Sequence, residues 1–202
     1  MSYTIGIDEV GRGPIAGPVV VCACAVREGT DVLSLFPDGK LRDSKKLSEK
    51  KRESIVEKIQ PLIEASSIVV GIGEVDASQI DERGISQAIK DAISQALNNL
   101  HTRGVRDDSF IYLDGSLYAN KRYTQETIIK GDEKKVEIAL ASIIAKVHRD
   151  TYMKKIAELY NNYGFETHVG YGTQLHYKAI ETFGLTPLHR KSFLKNIIKY
   201  SL

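Results

Sequence analysis

The 202-residue sequence has two cysteines, no marked excess of either charge, and no apolar run approaching the ~20 residues that span a bilayer. Cys22 and Cys24 lie two apart in Val19-Val20-Val21-Cys22-Ala23-Cys24-Ala25-Val26, so both fall on one strand face and read as small buried thiols. A zinc site would need further ligands at recognisable spacing, and none stands nearby. The first residues do not read as a signal peptide, so a reduced, cytosolic protein without membrane engagement is expected. A formal net charge of +2 permits nucleic-acid binding without requiring it. Repeats and low-complexity segments are absent too, and 42% hydrophobic content with dispersed charge describes a globular chain. At this length the expectation is one core, with at most a small appendage.

Hydrophobic periodicity predicts strands at about 3–8, 18–26, 67–75, 110–115 and 124–130. The first two form a hairpin-like pair around a glycine-rich turn. Helices are predicted over 49–65 with Ser48 as cap, over 78–101, from 136 to about 160, over 173–183 and over 188–199. Gly84 interrupts the second of these without necessarily ending it. Residues 27–46 and 164–172 read as loops. Strands interspersed with helices suggest an α/β sheet, about 1–160 forming the core and about 161–202 a helical extension.

The acids are the most informative residues. Asp8 and Glu9 end an apolar strand and run into Gly11-Arg12-Gly13-Pro14, a sequence that calls for open backbone and close approach to something. Asp114 follows Phe110-Ile111-Tyr112-Leu113, and Asp132 follows Lys130-Gly131 just beyond another predicted strand. Each has a plain alternative: a solvated Asp-Glu turn, a turn aspartate before Gly115, an N-cap at Asp132. If the three strands are neighbours, four carboxylates would cluster at one sheet edge, where like charges raise one another's pKa unless cations intervene. Oxygen-only ligands favour Mg²⁺ or Mn²⁺, and two such ions suit in-line displacement at phosphorus.

Ordered blocks along the chain carry a resemblance. They are Asp8-Glu9-Val10-Gly11-Arg12-Gly13-Pro14, Asp43-Ser44-Lys45-Lys46-Leu47, Leu113-Asp114-Gly115, Lys130-Gly131-Asp132, the segment from Ala141 to Asp150, Gly170-Tyr171-Gly172-Thr173, and His189-Arg190-Lys191-Ser192-Phe193. Together they resemble the ribonuclease HII family from end to end. The resemblance implies a ribonuclease H-like fold, with a central mixed sheet flanked by helices. It implies Mg²⁺- or Mn²⁺-dependent endonucleolysis of RNA in RNA–DNA hybrids and incision 5′ to single ribonucleotides in duplex DNA, leaving 3′-hydroxyl and 5′-phosphate ends. The substrates place it in ribonucleotide repair and primer removal, and a monomer is expected. The family's metal-binding acids fall on Asp8, Glu9, Asp114 and Asp132. Asp150 competes for the fourth place, but its position well along a helix favours a structural contact.

The 2′-hydroxyl distinguishes RNA from DNA, and the resemblance assigns its inspection to Gly11, Arg12 and Gly13. Arg12 can add a phosphate contact, the alternative being a surface arginine on a tight turn. By the same resemblance Tyr171 packs against the sugar beyond the ribonucleotide and senses that it is DNA; otherwise it is a loop tyrosine. Lys45, Lys46, Lys146 and Arg190 are candidate phosphate contacts, with Ser44, Ser142 and Ser192 as neutral donors, although an isolated lysine is more often solvated. His148, His168, His176 and His189 form no metal set and read as surface or loop residues, one of which could shuttle a proton. The competing readings are ribonuclease HIII, whose family carries an added N-terminal substrate-binding domain, a non-catalytic hybrid-binding module, and a junction-resolving or transposase-like nuclease. No replication-clamp motif is evident in 195–202.

Overall fold

The computed structural model describes residues 2–36, 39, 41 and 47–194. Strands β1 (Tyr3–Val10), β2 (Val19–Arg27), β3 (Ile68–Val75), β4 (Phe110–Asp114) and β5 (Gln125–Ile128) form one sheet in the order β3-β2-β1-β4-β5. β1 runs antiparallel to β2, and β2 to β3, whereas β4 lies parallel to β1 and β5 parallel to β4. The expected mixed sheet therefore forms, with β1 at its centre.

The α-helices among the described residues are α1 (Glu49–Lys58), α2 (Gln60–Glu64), α3 (Ala77–Arg83), α4 (Ile85–His101), α5 (Val136–Ala157), α6 (Phe165–His168) and α7 (Gln174–Phe183). Alternation along the strands sends Ile5, Ile7, Val19 and Val21 to one face, where they pack with Ala88, Ala92, Ala96 and Leu97 of α4. Val20, Cys22 and Cys24 face the other way, onto Ala139, Leu140 and Ile143 of α5 and Ile55 of α1. Both thiols are free and buried, as their spacing indicated. A third cluster of Ala16, Met153, Ala157, Tyr163, Phe165 and Ala179 ties the first turn and the end of α5 to the C-terminal segment.

Several predicted boundaries move. β1 continues through Glu9 to Val10, which pairs with Val20. Gly84 does end a helix: at φ +79° it leaves helical geometry and separates α3 from α4. Asp76 and Gln79 open α3 with a capping box. The predicted 49–65 helix divides at Ile59, where Pro61 lacks the N–H that a continuous helix would use. Ser48 precedes α1 without a side-chain capping bond. Loop 164–172 contains the single turn α6, and the described part of the predicted 188–199 helix is only a 3-10 turn over Lys191–Phe193; residues 195–199 lie outside the described residues.

Gly6 sets how closely α5 approaches β1. A Cβ there would lie 2.1 Å from the Glu137 carbonyl carbon and 2.3 Å from the Ile138 nitrogen. These are backbone atoms at the start of the helix and cannot swing aside. Gly6→Ala is expected to push α5 off the sheet and cost about 1–3 kcal/mol or more, as overpacking does, read as a lower midpoint in urea unfolding.

Candidate active site

The parallel register pairs Ile7 with Leu113, which sets Asp8 beside Asp114 at the carboxyl ends of neighbouring strands. By alternation both point to the Gly6 face, beneath α5. Asp132 stands in the 3-10 turn Gly131–Glu133 just past β5, and the Gly131 N–H donates to Asp114 Oδ1 at 2.6 Å. The strand ends and this turn surround a cleft of about 310 Å³ lined by Asp8, Glu9, Asp132, Ser142, Lys146 and Tyr171, among others. Residues from several separate parts of the sequence thus meet at one end of the sheet.

The cleft is strained electrostatically. Burial, followed by the Glu9 charge, pushes the Asp8 carboxyl well above the usual carboxylate range; Asp114 adds to the rise, and a hydrogen bond with Ser142 opposes it. Glu9 is also raised, chiefly by burial. Its N–H donates to Asp8 Oδ1 at 2.8 Å, and the exposed Arg12 guanidinium lies 3.8 Å from its carboxylate. Among the described residues no three acids, histidines or cysteines converge into a ready-made metal cage. An open set of carboxylates whose charges repel one another fits Mg²⁺ or Mn²⁺, which keep several waters and draw other oxygens from a substrate. Asp8→Asn should therefore stabilise the metal-free protein, raising its melting temperature by about 2–4 °C for each ~1 kcal/mol of repulsion relieved.

The Gly11-Arg12-Gly13 turn is shaped from behind by two buried arginines. Arg190 donates from Nε to Gly17 O at 3.0 Å, from one terminal nitrogen to Arg12 O at 3.1 Å, and from the other to Gly11 O at 2.6 Å. Arg149 donates to Pro18 O at 2.9 Å, Val169 O at 2.8 Å and Ala16 O at 3.1 Å. Gly11 is required twice: its φ is +86°, and a Cβ would lie 2.4 Å from Arg149 Nε. A Cβ on Gly13 would come within 3.9 Å of the Tyr171 ring, so the tyrosine flanks this turn.

The arrangement corrects two expectations. Arg190 is fully buried on backbone carbonyls and is a clamp, not a phosphate contact. Ser192 hydrogen-bonds Asp81 through both its N–H and its hydroxyl, which fastens the C-terminal segment to α3. Lys146 reaches the cleft but donates to Asp150 at 2.8 Å, and Asp150 also faces Arg52 at 3.8 Å, the structural role expected of it. Ser44, Lys45 and Lys46 lie outside the described residues. Arg52, His168 and His176 lie outside every block quoted above, and Arg149 and His189 lie inside blocks that gave no hint of their supporting roles.

Most of the four histidines were expected at the surface or in loops, and three of them are not at the surface. His148 is partly exposed and paired with Glu74, but His168, His176 and His189 are buried together behind Tyr171. Two non-glycine residues adopt the left-handed region near the cleft, Lys130 at φ +53° and Val169 at φ +44°. Each stands two residues before a cleft residue, Asp132 and Tyr171, and such conformations persist only where surrounding contacts impose them. Arg149 supplies one such contact to Val169. Arg190→Lys should leave carbonyls of the glycine turn without donors, at about 1–3 kcal/mol for each, seen as lower thermal stability and faster amide exchange at 11–17.

Comparison with known proteins adds to this geometry. The profile of the family described as Ribonuclease HII matches residues 5–196. A Ribonuclease HII of Shouchella clausii (strain KSM-K16) is 43% identical over 188 residues, covering 93% of this chain and 67% of the relative. The solved ribonuclease H2 of Pyrococcus horikoshii OT3 superposes with a TM-score of 0.75 at 24% identity, over 98% of each chain. Bst-RNase HIII, solved in complex with Mn²⁺, gives 0.70 at 18% identity, over 99% of this chain and 70% of the other. At such identities the two structures establish a common fold.

Proposed function

Since this chain belongs to the ribonuclease HII family and is a ribonuclease H-type endonuclease, we propose that Asp8, Glu9, Asp114 and Asp132 form its cutting centre and hold two Mg²⁺ or Mn²⁺ ions. The substrate is RNA paired with DNA, including a single ribonucleotide in duplex DNA, cut on its 5′ side to leave 3′-hydroxyl and 5′-phosphate ends. The observation that carries this reading is the meeting of Asp8, Glu9 and Asp132 in one cleft with Tyr171, while Asp114 stands beside Asp8. The family profile and the curated relative favour this over ribonuclease HIII, and all four acids are present, which counts against a non-catalytic module.

Bound ions would supply a water activated for attack and neutralise charge on the leaving oxygen. The protein's own part is placement. Asp8 is steadied by the Glu9 N–H and the Ser142 hydroxyl, and Asp114 by the Gly131 N–H, so both carboxylates keep their direction. Gly11-Arg12-Gly13 reads the 2′-hydroxyl. Because the Gly11 and Arg12 carbonyls turn inward to Arg190, the turn has its N–H groups to offer. Arg12 reaches toward phosphate, and Tyr171 packs against the following deoxyribose. Ser142 and Lys146 serve the strand nearer the acids, and Bst-RNase HIII's complex with Mn²⁺ supports divalent-ion dependence. Among the described residues no helix is long and apolar enough to cross a membrane; we take the protein to act as a cytoplasmic monomer with no membrane partner.

The test compares cleavage of duplex DNA carrying one ribonucleotide with cleavage of a continuous hybrid, with and without Mg²⁺. Both substrates should be cut only with metal, the first on the 5′ side of the ribonucleotide. Asp114→Asn should lower kcat about 10²–10³-fold, the scale seen when a group stabilising transition-state charge is lost, while hybrid binding persists in a filter assay. Near-normal turnover by that variant would remove Asp114 from the cutting centre.

A further inference from the structure

His168, His176 and His189 are 7%, 0% and 2% exposed, packed around Phe165. The His168 and His176 rings stack with centroids 4.3 Å apart. Every ring nitrogen in the group has a polar partner, and the partners dictate where the protons lie. His176 Nδ1 is 2.9 Å from the Tyr171 carbonyl, which can only accept, so Nδ1 carries hydrogen. His189 Nδ1 lies 2.9 Å from the Thr186 N–H, which can only donate, and 2.9 Å from the Thr186 hydroxyl, which can rotate to donate too; the fixed N–H leaves Nδ1 bare. The two Nε2 atoms are 3.0 Å apart and share one hydrogen, donated by His189 to His176. His168 donates from Nε2 to Tyr163 O and accepts at Nδ1 from the Gly170 N–H. All three rings are thereby neutral, each in one tautomer.

We propose that the His189–His176 relay is a specificity determinant of the enzyme, positioning the Tyr171 peptide so that its ring meets the sugar beyond the ribonucleotide. This rests on the reading of Tyr171 given above. Tyr171 stands between Gly170, at φ +90°, and Gly172, so its direction depends on bonds to its own peptide. The Tyr171 N–H donates to the His168 carbonyl at 2.9 Å, and its carbonyl accepts from His176 and from the Thr173 N–H at 2.9 Å. The histidines are positioning residues and touch no reacting atom.

The relay is complete only while uncharged. A proton on His176 Nε2 would face the His189 N–H, and one on His189 Nδ1 would face the Thr186 N–H. The surroundings also resist protonation. Charge on one ring would repel charge on its neighbours, with Tyr163 packed on His189 at 5.4 Å between ring centroids and Asp81 of α3 sharing the groove at His189 with Lys191. Burial pushes His176 down to about 4 and lowers His189 as well. With folded values below the unfolded ~6.5, the contribution to stability is present above pH ~6.5 and fades as pH falls toward 4.

The test uses the full chain labelled with ¹⁵N-histidine and the ratio of kcat/KM on a single-ribonucleotide duplex to that on a continuous hybrid. At pH 7 the nitrogen spectrum should show His176 as the Nδ1–H tautomer and His189 as Nε2–H; His176 with its proton on Nε2 would overturn the relay. His176→Leu should lower the ratio about tenfold, the scale of one lost positioning hydrogen bond. His176→Asn, whose amide can donate near the Nδ1 position, should restore most of it. His189→Asn keeps an acceptor for Thr186 but loses the donor to His176, and should shift the ratio the same way even if His176→Leu does not fold. An unchanged ratio in folded His189→Asn, with Tyr171→Ala and His176→Leu altered alike, would mean that His176→Leu acts through packing and would overturn the relay. An unaltered ratio in Tyr171→Ala would instead remove the reading of the tyrosine and the relay's part in selectivity with it, whereas a ratio altered in Tyr171→Ala but in no histidine variant sinks the relay alone.

Discussion

Two guanidinium groups that are buried with no salt bridge among the described residues hold this structure's working end together. Desolvating a cation is expensive, and the cost is offset here by charge-assisted hydrogen bonds to six backbone carbonyls, three for Arg149 and three for Arg190. Burial, then the neighbouring Arg149, pushes Arg190 down to about 9, which leaves it charged at neutral pH. A planar fork of fixed donors matches three carbonyls at once, as a lysine's point charge does not. The carbonyls belong to the turn between β1 and β2 and to the loop before Tyr171. The arginines come from α5 and the C-terminal segment. Separating any of these segments would strand a buried charge, so the sheet and the C-terminal segment are obliged to meet at the glycine turn.

The acids depend on a different constraint, the closeness of backbone to backbone. Parallel pairing of β1 with β4 gives Asp8 and Asp114 adjacent places, and Gly6 lets α5 descend until Ser142 bonds Asp8. The fold thus brings together carboxylates that repel each other, a tension sustained by the strong packing on both sheet faces. On the proposed reading such a site is pre-organised for cations: it would gain when they arrive and would have little to rearrange.

Much of this was legible in the sequence, for identifiable reasons. Alternating apolar residues and glycine-bounded acids mark strand ends, so Asp8, Glu9 and Asp114 could be placed before their neighbours were known. Asp132 was harder, because a left-handed Lys130 and a 3-10 turn intervene between β5 and the acid. Arg190 was misread because charge in a recognisable block suggests an anion, whereas burial is a property of tertiary packing that local sequence does not carry. The same holds for the histidines: polar residues thirteen apart, as His176 and His189 are, give no periodic signal that their rings touch. Gly84 shows the reverse case, where an apolar face running through the break hid a glycine that backbone geometry used to stop a helix.

On the proposed reading, cutting and ribose recognition share one element. Asp8 and Glu9 belong to β1, and Gly11 follows immediately after its last residue, Val10. An extended strand advances about 3.3 Å per residue, so the separation between the carboxylates and the sugar-reading turn is set by a short stretch of backbone paired along its length with β2. No hinge lies between them. On the far side of the turn, the two arginine clamps prevent it from tilting away from that strand. The position of the cut relative to the ribonucleotide then follows from covalent distance and hydrogen-bonded register, while Tyr171, the one recognition residue on a separate loop between two glycines, is the part that needs independent support to stay in place.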